Sequence, residues 1–189
     1  MEKIIVVGTS TGGLAAMQVL LPGLSEDFPW AVILVQHRSK EPGSELCHFL
    51  QKHCRLQVAE PEDKEPIMAG QVYLAPRDYH LLVEKGSFAL STEGPVYYAR
   101  PSIDVLFESA ADAYGADVVG IVLTGANGDG ARGLARIKAG GGLALVQDPA
   151  TAYAPDMPRA AIAATSVDRI LPLPDIAPFL NVLGRGTVR

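Results

Sequence analysis

Apolar and polar positions along this chain follow two rhythms: short continuous apolar runs, and longer stretches where apolar residues recur every three or four positions. Continuous runs bounded by turn residues read as buried strands, and the longer periodic stretches as helices. Residues 3–8 (KIIVVG) and 30–36 (WAVILVQ) are expected strands, followed by helices over 13–22, closed by Pro22 and Gly23, and over 43–53. Short strands are expected near 56–59 and at 71–75. Two apolar runs within 80–91, split by Lys85-Gly86, read as a hairpin. A loop over 94–101 leads to a helix that starts near Ser102, a good N-cap residue, and runs to about Tyr114. The alternation then resumes with strand 117–123, helix 130–139, strand 142–147, a helix near 158–164, strand 168–171 and a helix near 175–183.

Strands that alternate with helices predict an α/β fold: a doubly wound, mostly parallel sheet of about seven strands, helices on both faces, and a β-hairpin insertion. No internal repeat, low-complexity tract or inter-domain linker interrupts the pattern, so residues 1–189 are expected to form one domain.

Composition narrows the function classes. A net charge of −5 gives no electrostatic footprint for nucleic acid. No apolar run approaches the roughly 20 residues needed to cross a bilayer, so no membrane insertion is expected. The start, MEKIIVVG, runs straight into a strand without the apolar length of a signal peptide. Cys47 and Cys54 fit reduced thiols, and the expected compartment is the cytoplasm. The pairs Cys47-His48 and His53-Cys54 lack zinc-site spacing and fall in one helical stretch, so no metal is expected.

The chemical residues cluster by position. Ser10 follows the first strand, His37 ends the second, and Asp129 follows strand 117–123; His80 and Asp148 also lie just past strand ends. In a parallel sheet all strand C-termini share one rim, where ligands bind. A serine, a histidine and an aspartate on that rim are the parts of a nucleophile, its base and the base's orienter. Read literally, Gly8-Thr9-Ser10-Thr11-Gly12 matches the G-x-S-x-G nucleophile elbow. The order Ser, His, Asp differs from the Ser, acid, His order of the α/β-hydrolase fold that usually carries this motif. The Thr11 N–H, on a turn that opens a helix, is the natural first oxyanion donor.

Other readings of the same residues are weaker. A dinucleotide loop needs glycine where Ser10 stands and an acid where His37 ends the second strand, and a phosphate loop of the G-x-x-x-x-G-K type needs a lysine that does not follow Gly13. Asp129 alone could simply cap the helix expected to begin near Gly130, and His80 could be either a substrate contact or a structural hydrogen-bonding residue. Arg38, Arg77, Arg100 and Arg159 lie near rim loops, with solvated surface as their default reading.

The ordered set GTSTGG, VQH, AGQVYLAPRDYHLLV, RPSIDVLFESAA, GIVLTGANGDGARGL, GGLALVQDPATA and MPRAAI resembles the catalytic domain of CheB, the bacterial chemotaxis receptor methylesterase family, over essentially the whole chain. The resemblance implies a serine hydrolase that converts glutamate γ-methyl esters on chemoreceptor cytoplasmic helices to glutamate and methanol, and that also deamidates receptor glutamines. It implies Ser10 as nucleophile, His37 as general base and acid, Asp129 as orienting carboxylate, and Thr11, Ala126 and His80 at the substrate and oxyanion site, with no metal or organic cofactor. Two departures stand out: Ala126 where the family commonly has methionine, and APDMPRAA where GMPRAA is usual. An N-terminal receiver domain, typical of the family, is not expected in residues 1–189. A second reading, a non-catalytic module that grips receptor helices with the same rim, is kept by Ala126 and the missing receiver.

Overall fold

The computed structural model describes residues 3–37 and 45–186. Seven strands form one parallel sheet in the order β3-β4-β2-β1-β7-β8-β9. They are β1 (Ile4–Thr9), β2 (Ala31–Gln36), β3 (Gln57–Ala59), β4 (Gln71–Leu74), β7 (Val118–Val122), β8 (Leu143–Gln147) and β9 (Arg169–Leu171). The remaining two, β5 (His80–Glu84) and β6 (Ser87–Ser91), pair antiparallel as the expected hairpin about Lys85-Gly86. The helices are α1 (Gly13–Leu20), α2 (Glu45–Gln51), α3 (Ile103–Tyr114), α4 (Ala131–Ala139), α5 (Asp156–Ala164) and α6 (Leu173–Gly184). The first two positions expected for the second helix, 43 and 44, and Arg38, lie outside the described residues.

The apolar run of β1 is continuous because both faces of the sheet are covered. Ile4 and Val6 point into a core built from α3, α4, α5 and the hairpin, with Ile103, Phe107, Leu134, Met157 and Phe88 among its members. Ile5 and Val7 point into the opposite core, with Met17 and Leu20 of α1, Leu50 of α2 and Leu180 of α6. A strand buried on both faces has no reason to alternate with polar residues, which is the pattern the sequence carries.

Strand order reverses at β1, which pairs with β2 on one side and β7 on the other. A doubly wound sheet opens a crevice at such a switch point, outside the strand C-termini. The chain leaves β1 at Ser10, β2 at His37 and β7 a few residues before Asp129.

Candidate active site

Ser10 stands on a turn that its neighbours hold rigidly. Its N–H donates to the Thr124 carbonyl at 3.0 Å, and its own carbonyl accepts from Gly13 N–H at 2.8 Å. Buried Thr9, just before it, donates through Oγ1 to the same Thr124 carbonyl at 3.0 Å. Gly12, the N-cap of α1, has φ of 81°, a left-handed conformation that a residue with a Cβ adopts only with strain. This cap supplies no side-chain acceptor to the helix start. The N–H of exposed Thr11 makes no hydrogen bond within the protein among the described residues, which leaves it free to donate.

The His37 backbone continues the β1–β2 register by donating to Thr9 O at 3.1 Å. Its ring bridges the other two residues: Nδ1 lies 3.2 Å from Ser10 Oγ, and Nε2 lies 2.7 Å from Asp129 Oδ2. In the neutral ring, Nε2–H donates to the carboxylate and the Nδ1 lone pair accepts from the serine hydroxyl. The two ring nitrogens are interchanged relative to the familiar protease triad. The chemistry needs only one nitrogen oriented by a carboxylate and the other facing the hydroxyl, so either assignment serves.

Asp129 is fully buried and fully bonded. Besides His37, its Oδ2 accepts from Ile103 N–H at 2.7 Å, and its Oδ1 accepts from Asp104 N–H and Ser102 Oγ, both at 2.9 Å. Burial pushes its carboxyl up, but the His37 ring and the backbone N–H groups of Asp104 and Ile103 outweigh that and hold it below the ordinary carboxylate value. The capping read from sequence is therefore corrected in its target. Asp129 caps α3, not the helix that follows it; the start of α4 is taken by Asp104, whose Oδ1 accepts from Gly130 and Gly133 N–H at 2.9 and 2.7 Å.

Other expected site residues separate. Ala126, on the loop after β7, is exposed, and its N–H makes no hydrogen bond within the protein among the described residues. His80 is buried. Its Nε2 donates to Gly94 O at 3.0 Å and its Nδ1 accepts from Ser102 N–H at 3.2 Å, so backbone groups occupy both ring nitrogens. It supports the Ser102 cap, one bond removed from Asp129. Arg100 is likewise committed, to Asp78 and to the Thr92 and Glu93 carbonyls. Asp148 caps a short turn through Ala150 N–H. Among the described residues no cluster of three or more His, Cys, Asp or Glu side chains is placed to hold a metal ion.

Two residues at the site were not singled out from sequence. Asn127 accepts from Asp129 N–H through Oδ1 at 3.0 Å, which turns its amide nitrogen toward His37 Nδ1 at 3.4 Å. Gln36 donates through Nε2 to the carbonyls of Ser10 and His37 at 3.0 and 2.7 Å. Their adjacency to Asp129 and His37 was the available signal; the folding-back of each side chain onto backbone was not.

Residues 5–180 match the model of the CheB methylesterase family. A putative protein-glutamate methylesterase/protein-glutamine glutaminase of Leptospira interrogans is 49% identical over 92% of this chain and 90% of its own length. Protein-glutamate methylesterase/protein-glutamine glutaminase 2 of Anaeromyxobacter dehalogenans is 41% identical over 97% of this chain, which spans 54% of that relative. The crystal structure of the Thermotoga maritima CheB methylesterase catalytic domain superimposes with a TM-score of 0.89 at 32% identity, covering 97% of this chain and 99% of that one.

Proposed function

This chain belongs to the CheB methylesterase family, and from that premise we propose that it hydrolyses protein glutamate γ-methyl esters with Ser10 as nucleophile. The observation that carries this reading is the unbroken chain of contacts from Ser10 Oγ through the His37 ring to the Asp129 carboxylate. Relatives bearing the methylesterase/glutaminase name supply the reaction class. The substrate is the methylated face of chemoreceptor helices, and the compartment is the cytoplasm. No helix of the described residues is long and apolar enough to cross a membrane.

The proposed reaction uses these contacts in turn. Ser10 Oγ attacks the ester carbonyl carbon as His37 Nδ1 takes its proton. Asp129 holds the ring and balances the positive charge it acquires. The new oxyanion accepts from the backbone N–H groups of Thr11 and Ala126, neither of which has another partner within the described protein. The C–O bond to the methoxy group breaks, the leaving oxygen takes the proton from His37, and methanol departs. Water, deprotonated by the same nitrogen, then attacks the acyl-serine; glutamate is released and the serine hydroxyl restored. A glutamine side chain runs the same course with ammonia leaving. Alanine at 126 still supplies a backbone donor, because the side chain is not the donating group.

The test is methanol release from a methylated receptor cytoplasmic fragment. Ser10→Ala should abolish release above background while its melting temperature stays near that of the parent. Release at near-parental rates from that variant would overturn the mechanism.

A further inference from the structure

We infer that Gln36 is a positioning residue: its amide fixes the backbones of Ser10 and His37 relative to each other and so sets the reach of the base to the nucleophile. The inference rests on the proposed roles of those two residues.

Gln36 ends β2, one position before His37. Its Nε2 donates to the Ser10 carbonyl at 3.0 Å and to the His37 carbonyl at 2.7 Å. Both N–H bonds of one amide are thus spent on the peptide groups of the two residues whose side chains must meet. Thr124 holds Ser10 from the other direction through the Ser10 N–H. For the His37 carbonyl, Gln36 is the one donor among the described residues. The His37 N–H is held by Thr9 O on one side of the residue, and the Gln36 amide holds its carbonyl on the other, so losing the amide loosens one of the two backbone anchors of the imidazole.

Stability alone does not account for a glutamine here. The residue is only 9% exposed, and its side-chain Oε1, buried, has no hydrogen-bond partner among the described residues. An orphaned buried carbonyl is costly, and an apolar side chain of similar shape would avoid that cost. Gln147, at the equivalent end of β8, makes the contrast. Its Oε1 accepts from Thr124 N–H and its Nε2 donates to Thr151 O, so both ends of that amide are satisfied. Gln36 keeps its donors engaged and leaves its acceptor unused.

Gly13 completes the arrangement. A Cβ there would overlap Gln36 Oε1 and Thr9 Oγ1, so α1 has to begin on glycine for the amide to lie where it does. The glutamine of VQH and the last glycine of GTSTGG are two parts of one clamp.

Gln36→Met keeps the side-chain length and removes both donors; Gln36→Glu keeps the shape and replaces the amide donors with oxygen. Each variant is compared with the parent for the rate of Ser10 labelling by a fluorophosphonate, for kcat and KM of methanol release, and for thermal melting. A misplacement of about 1 Å costs on the order of 10²-fold in rate. Labelling and kcat should therefore fall by about that factor in Gln36→Met and further in Gln36→Glu, with KM within about twofold and the Gln36→Met melting temperature unchanged or raised. Parental labelling and kcat in Gln36→Met would overturn the inference. So would a melting loss that leaves that variant unfolded, because it would mark Gln36 as structural. Failure of the parent itself to label at Ser10 would instead overturn the assignment of the nucleophile, and the inference with it.

Discussion

Asp104 and Asp129 cap each other's helices. Asp129, just before α4, accepts from the Ile103 and Asp104 N–H groups at the start of α3. Asp104, in the first turn of α3, accepts from Gly130 and Gly133 N–H at the start of α4. The carboxylate that orients His37 is thus locked by the N-terminus of one helix while its own loop is locked by a residue of that same helix. Unpaired N–H groups and the positive end of the helix dipole favour a negative charge at this point. That is how a fully buried carboxylate stays ionised beside the imidazole.

Asp129→Asn should therefore lose both function and stability. An amide cannot accept all four hydrogen bonds, since one of its two faces presents N–H groups to donors. The expected cost is about 1–3 kcal/mol in stability and on the order of 10³–10⁴ in kcat. Because the folded Asp129 value is depressed, its stabilisation is complete above the ordinary 3.8 and is lost as pH falls below it. Acid titrations of the melting temperature should show that component in the parent and not in the variant; superimposable curves would contradict the assignment.

Asp104 carries the opposite sign. Burial first, aided by the neighbouring Asp129 charge, raises its carboxyl to about 6 against the pull of Gly133 N–H, and its Oδ2 has no hydrogen-bond partner among the described residues. A raised acid binds its proton more tightly in the folded state, so its contribution is present below 3.8 and is lost as pH rises through about 6. Asp104→Asn fixes the uncharged form. It should flatten the melting profile across that window. A parental slope in the variant would refute this.

Ser102 joins the cap to the site. Its Oγ accepts from Val105 N–H at 3.4 Å and donates to Asp129 Oδ1 at 2.9 Å. Ser102→Ala removes both, at an expected cost of about 0.5–2 kcal/mol in stability. With one hydrogen bond to the orienting carboxylate gone, kcat should fall by about one to two orders of magnitude with KM little changed. Chemical denaturation and steady-state methanol release measure the two effects separately. An unchanged kcat in a destabilised variant would confine Ser102 to capping.

Gly12→Ala tests the turn under Ser10. The left-handed backbone at φ 81° costs an alanine about 1–2 kcal/mol, and its Cβ would press on Tyr153. Melting should drop accordingly, and Ser10 labelling by a fluorophosphonate should slow sharply as the turn shifts. A variant that labels at the parental rate would show that the turn tolerates movement without disturbing the nucleophile.

The sequence alone determined the order of strands and helices, because a strand buried on both faces must be apolar throughout and a half-buried helix must be periodic. It also brought Ser10, His37 and Asp129 to one rim, because parallel strands align their C-terminal ends whatever the loops do. It did not determine which ring nitrogen faces Ser10, which helix Asp129 caps, or which backbone groups bond the His80 ring. Those depend on how α3, seated beside the hairpin, directs its N-terminus at the loop after β7, a contact between residues 25 or more positions apart. Nor did it mark Gln36, whose importance lies in where its amide folds back. Periodicity reports which face of an element is buried; the partner of each polar atom is decided only when distant backbone groups compete for it in the folded protein.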